Sequence, residues 1–162
     1  MRETWFRIFL LLHILGAIAA VGPTLTYGLW AYRADRAPEH RSYILDTISW
    51  VDGHLATPAF IAQAFTGVAL ILVAEIDFFD TAWLLTGVIL YVATTVVAIA
   101  VYAPTVRRQR AAAAALHEAP GDPAAQAAYA RAASRSRTQG IVVTVMTLAI
   151  VFLMVWKPAL WN

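Results

Sequence analysis

Few side chains in this chain can do chemistry, and the most informative one lies in apolar surroundings. His13 falls near the start of LLHILGAIAAVGPTLTYGLW, residues 11–30, a run apolar enough to enter a bilayer. Ionisable groups at membrane depth are costly and by default point to function. A neutral imidazole there can ligate a haem iron or another metal, or relay a proton. The competing role is a hydrogen bond across a helix bundle, to Tyr91 or Gln63. Lys157, between Trp156 and Pro158, reads either as a snorkelling anchor or as a cation held near His13. In the second role it would meet the carboxylate of an anionic ligand such as a porphyrin propionate, or Glu75, Asp77 or Asp80.

Other sets are weaker. Asp52 and His54 open a second apolar run. His13 and His54 would enter the membrane from opposite sides, ~12 Å and ~6 Å deep at 1.5 Å per helical residue, too far apart for one iron. His13 with Met146 or Met154 could bind copper, but two soft ligands at one depth are not evident. Zero cysteines exclude disulfides, thiolate metal sites and thiol nucleophiles. No HExxH, Ser–His–Asp set or phosphate loop is present, so no catalytic constellation emerges.

The elements that must position these residues are membrane spans. The 162 residues are 60% hydrophobic and 14% charged, against about half and about a quarter in soluble domains. Four runs reach the ~20 residues that cross a hydrocarbon core: 5–30, 51–74, 82–103 and 140–157. Trp5, Trp30, Trp50, Trp83, Trp156 and Trp161 all fall at span ends, as an aromatic belt requires. Arg33, Arg36, Arg41, Arg107, Arg108, Arg110, Arg131, Arg135 and Arg137 lie in connections 31–50 and 104–139. The opposite side has only Arg2, Arg7 and Lys157, and its loop, 75–81, is acidic. Positive charge stays cytoplasmic, which predicts both termini on the non-cytoplasmic side. MRETWFR with IFLLLHIL and Ala17-Ile18-Ala19 imitates a cleaved signal; the charge bias and the apolar run on to Trp30 oppose that reading.

The loop 104–139 is alanine-rich and split by Pro120-Gly121-Asp122-Pro123, which predicts a cytoplasmic αα-hairpin extending spans three and four. Its arginines could meet anionic headgroups, and nothing in it supports nucleic-acid binding. Within the spans, helical spacing gathers small and polar residues into inward stripes. They are His13, Gly16, Ala17, Ala20 and Thr24; Asp52, Ala56, Ala59, Gln63, Thr66 and Gly67; and Gly87, Tyr91, Thr94, Thr95, Ala98 and Tyr102. A weaker line joins Met146, Ile150, Leu153, Met154 and Lys157. Leu11, Leu15, Ile18, Leu25 and Leu29 should face lipid. Pro58 is placed to bend span two and rotate His54 relative to Gln63. The expected fold is all-α: one integral membrane domain, an antiparallel four-helix bundle.

LLHILGAIAAVG, TPAFIAQAFTG and FLMVWKPAL together resemble domain-of-unknown-function family 2269, a bacterial group of predicted inner-membrane proteins. The shared pattern is a leucine-rich first helix with His then Gly, a second helix opening with Pro and containing Thr-Gly, and a terminal Met-Val-aromatic-Lys-Pro. It covers nearly the whole chain and implies four transmembrane helices in the inner (plasma) membrane, with no assigned activity. More distantly the layout is similar to the small four-helix membrane protoporphyrinogen oxidases, b-type haem proteins, and to the copper-resistance D membrane domains. The first-helix His and fourth-helix Lys-Pro of the oxidases map onto His13 and Lys157, and their TPA onto Thr57–Ala59. Gly22-Pro23-Thr24 stands where that group has Leu-Pro-Arg, and its third-helix aromatic and charged residues have no counterpart here. The resemblance implies haem b as the cofactor to test, held by His13 with Lys157 assisting. The alternatives are a cofactor-free scaffold or accessory subunit, alone or as a homo-oligomer, and a copper-handling or transport component.

Overall fold

The computed structural model describes residues 1–160; Trp161, the last tryptophan of the belt, lies outside the described residues. Four long helices make up the chain: α1 (Arg2–Arg36), α2 (Pro38–Ala74), α3 (Ala82–Glu118) and α4 (Pro123–Trp156). Each is apolar and long enough to cross a membrane, and among the described residues there is no strand. Consecutive helices run antiparallel and close a ring, with α1 along α2, α3 along α4, and α4 back against α1. Leu11, Leu15, Ile18, Leu25 and Leu29 are exposed on the outside, as are Ile89, Val92, Val96 and Ile99 of α3. Small residues hold the inside of the spans, with Ala20, Ala56, Gly87, Thr94 and Thr147 buried.

At 34 to 37 residues each helix is ~50–55 Å long, whereas the hydrocarbon core is ~30 Å. All four therefore project, and the excess gathers at the arginine-rich end. Residues 31–50, read above as a connection, are helical except for Ala37. Ala37 departs from helical geometry (φ −126°, ψ 76°) because the ring of Pro38 disfavours the α region for the residue before it. Pro38 itself tolerates a first-turn position, where its missing N–H costs nothing. Residues 41–51 then form a regular helix because Leu45 is buried and Ile44 and Ile48 pack beside it. Sequence reading lost this segment because the polar residues around these three masked a helix amphipathic enough to bury them.

The extension has its own core. Ala34, Leu45, Ala113, Leu116, Tyr129 and Ala133, drawn from all four helices, form one buried cluster. Tyr129 Oη donates to Asp35 Oδ1 at 2.7 Å, and Arg137 Nη2 donates to Asp35 Oδ2 at 2.8 Å. The Arg41 guanidinium stacks 4.4 Å from the Tyr129 ring centroid. Arg110 Nε donates to Asp46 Oδ1 at 2.7 Å, tying α3 to α2. Asp122 caps α4 by accepting the Ala124 N–H at 2.9 Å, with Pro123 in the first turn. At the opposite end Arg2 pairs with Glu75 at 2.8 Å. The 75–81 loop turns on Asp77, which accepts the N–H groups of Phe79 and Asp80.

Burial, with the Asp35 carboxylate beside it, pushes the Tyr129 phenol up from 10.0 to about 12. A phenol whose folded pKa is raised contributes stability that is complete below pH 10 and lost as pH climbs to about 12. Thermal unfolding in mild detergent should show that alkaline decline in the wild type and a smaller one in Tyr129→Phe. At neutral pH the variant should be less stable by about 1.5–3 kcal/mol, the range for a hydrogen bond to a charged group.

Candidate functional site

His13 meets α2, not α3. Its Nδ1 lies 2.9 Å from Thr66 Oγ1, and the Thr66 hydroxyl donates back along its own helix to the Ala62 carbonyl at 2.9 Å. A hydroxyl has one proton, so with that proton engaged Thr66 accepts from the imidazole. His13 is then the Nδ1–H tautomer, and Nε2 keeps the lone pair. Gln63, one turn before Thr66, donates from Nε2 to the His13 backbone carbonyl at 2.6 Å. Of the two partners expected for the imidazole, Gln63 thus reaches the backbone of His13 instead, and Tyr91 lies elsewhere. Thr66 stands on the same expected inward stripe as Gln63, one turn away.

Two glycines allow these contacts. A Cβ on Gly16 would stand 2.7 Å from Gln63 Nε2, and one on Gly67 would stand 3.5 Å from His13 Cε1. Helices α1 and α2 therefore touch through glycine, the means by which helices associate where lipid supplies no hydrophobic drive. Tyr91 forms the matching clasp between α3 and α2. Its hydroxyl donates to the Phe60 carbonyl at 2.8 Å, and its ring stacks on Phe60 at 4.5 Å. Thr94 and Thr95 look inward, but their hydroxyls donate to Leu90 and Tyr91 carbonyls of their own helix, at 2.7 and 2.8 Å.

Lys157 stands apart from His13. It is exposed, with Nζ 5.2 Å from the Trp83 ring centroid, and its backbone closes α4 in the left-handed region (φ 47°). Pro158 follows, so the Lys-Pro pair marks a helix terminus. Of the three acidic residues expected as its alternatives, Glu75 is paired with Arg2. His54 is exposed and stacked on Trp50 at 4.6 Å, with Nδ1 2.8 Å from the Trp50 carbonyl. Asp52 accepts from Thr57 Oγ1 at 3.3 Å and neighbours Tyr27 of α1 and Tyr102 of α3. Among the described residues no group of three His, Asp or Glu is placed to hold a metal.

A porphyrin fits this arrangement poorly. The tautomer of His13 offers Nε2 to an iron, yet α1 and α2 are in glycine contact on either side of the ring, and the second expected partner, Lys157, is engaged with Trp83. What the residues do support is helix-to-helix adhesion.

Gly16→Ala should displace the Gln63 amide from the His13 carbonyl and lower the unfolding midpoint in detergent, at a cost of about 0.6–2 kcal/mol. Gly22→Ala, where an added Cβ meets nothing within 4 Å, should be neutral or mildly stabilising.

Residues 7–158 match the model of one family, described as predicted integral membrane proteins (DUF2269). No curated protein and no solved structure matches the chain. Because that match takes in most of every long helix, together with both clasps, the protein belongs to the DUF2269 family of predicted integral membrane proteins.

Proposed function

We propose that this protein is a cofactor-free scaffold or accessory subunit of a bacterial inner membrane. Its arginine-rich extension would stand in the cytoplasm and both termini on the other side. One observation carries the reading: His13, Gln63, Thr66 and Tyr91, the polar groups at the heart of the spans, are engaged with neighbouring helices. A bundle built this way is rigid and presents apolar outer faces to lipid and to other membrane subunits or a second copy. The orientation is supported by charge, nine basic residues on one side against three on the other. Arg33, Arg36, Arg107, Arg108, Arg131 and Arg135 are exposed on the extension, available to anionic headgroups or an acidic partner.

A second reading, haem b held by His13, is favoured by the lone pair left on Nε2 of that residue. The two are separated by the absorption spectrum of protein purified in mild detergent from haem-fed cells. The scaffold reading expects no Soret band in stoichiometric yield. A band present in the wild type and lost in His13→Ala overturns it. For orientation, a cysteine introduced beside Arg110 should resist impermeant thiol reagents in intact cells, and one beside Asp77 should react; the reverse pattern inverts the topology.

A further inference from the structure

Where they leave the hydrocarbon, α2 and α3 change their relation to each other. Each has a π turn near the boundary, Asp52–Ala56 in α2 and Ala98–Tyr102 in α3, just ahead of Pro58 and Pro104. Proline donates no N–H and its ring crowds the carbonyl four residues back, so turns of this kind redirect helices. On the membrane side of them the backbones of Thr57–Ala74 and Ala82–Val97 stand apart, bridged by Tyr91 on Phe60. On the other side Arg41–Val51 runs close along Ala103–Glu118. Leu55, Ile99 and Val101 are exposed at the turns themselves, an apolar surface where acyl chains begin.

Where the two helices converge, an open cleft of about 270 Å³ lies between them. Its walls include Ser42 and Asp46 of α2 and Arg107, Arg110, Ala111 and Ala114 of α3. Arg107 and Arg110, three residues apart, share a face of their helix. Arg110 donates to Asp46 Oδ1 from Nε, at 2.7 Å, and from Nη2. That pair holds the guanidinium in the wall and leaves it donors for a further acceptor. Among the described residues Arg107 is in no ion pair. Two guanidinium groups against one carboxylate leave the cleft a single positive charge, and a phosphodiester carries a single negative one. Guanidinium forks match phosphate oxygens in pairs, and the Ser42 hydroxyl adds a neutral donor. Depth selects among anions. The apolar runs end at 51 and 103, so Asp46 and Arg107 stand ~6–8 Å beyond the hydrocarbon at 1.5 Å per residue. Headgroups fill about that thickness on each face of a bilayer, and the exposed Trp50 marks the same boundary. We infer that the cleft between α2 and α3 binds one anionic phospholipid, its phosphate held by Arg107 and Arg110 and its headgroup lodged against Ser42, Ala111 and Ala114. This goes beyond the scaffold reading and holds in either orientation, with or without a cofactor at His13.

The test adds phosphatidylglycerol to full-length protein in an uncharged detergent, with phosphatidylcholine of the same chains and inorganic phosphate in parallel. Native mass spectrometry counts bound lipid, and thermal unfolding reads its effect. Phosphatidylglycerol should fill one saturable site and raise the midpoint, and the other two should do neither. Arg107→Gln should weaken that site roughly fivefold. Ala111→Trp, at an exposed position, fills the cleft while keeping every charge and should abolish the site; Ala114→Phe takes its place if that variant fails to fold. Arg131→Gln removes an equal charge ~13 Å beyond the end of span four and should change affinity by less than about twofold. Equal weakening in Arg107→Gln and Arg131→Gln, or binding undiminished in the folded cleft-filling variant, reduces the effect to diffuse attraction and overturns the site. Equal binding of phosphatidylcholine overturns it as well. A midpoint raised as far by inorganic phosphate assigns the cleft to a free anion and overturns the lipid.

Discussion

Lipid gives apolar helices no reason to prefer one another over acyl chains, and this constraint shapes the whole molecule. Inside the spans, adhesion has to come from close approach and from hydrogen bonds that would otherwise go unmade. The α1–α2 contact shows both at once. Gly16 and Gly67 remove the Cβ atoms that would hold the helices apart, and Gln63 and His13 then reach partners across the gap. Large aliphatic side chains do little of this work, and most of them are turned outward.

The complement of that rule is found where the helices leave the hydrocarbon. In water the hydrophobic effect returns, and there the chain builds a cluster of Ala34, Leu45, Ala113, Leu116, Tyr129 and Ala133. The arginines of this region divide accordingly. Arg41, Arg110 and Arg137 brace the cluster from its edge through Tyr129, Asp46 and Asp35. The others stay exposed. A single count of positive charge therefore describes two populations, one structural and one available to lipid or a partner.

What could be read from residues alone follows the same division. The spans, the outward leucines of α1 and the burial of Ala20, Gly87 and Thr94 were legible, because twenty-residue apolar runs and small-residue stripes report directly on the lipid environment. The helical character of residues 31–50 was not, since a short amphipathic helix of mixed composition shows itself only once its partners Leu116 and Tyr129 are known. Side-chain pairing was half legible. Gln63 and Tyr91 each spend their hydrogen bond on a backbone carbonyl of another helix, an acceptor present at every position and so invisible to residue type. Of the two roles the sequence left open for Lys157, the anchor at the rim is the one its surroundings resemble. The left-handed backbone at that position and the ring of Trp83 direct it to the rim.

The polar level at Asp52 and Tyr102 belongs to neither regime, and its position explains its composition. Below it the helices adhere by glycine contact, and above it by an aqueous core. At the junction neither device is complete, and the π turns ahead of Pro58 and Pro104 widen the backbone there. A wider turn swings the residues before it around the helix relative to those after it. Straight-helix spacing placed Asp52 on the inner line with Gln63, whereas its side chain is partly open at the surface. Polar side chains are tolerated at such a boundary because interfacial water remains within reach of Asp52, while Tyr27, Ser49 and Gln139 are sealed from it.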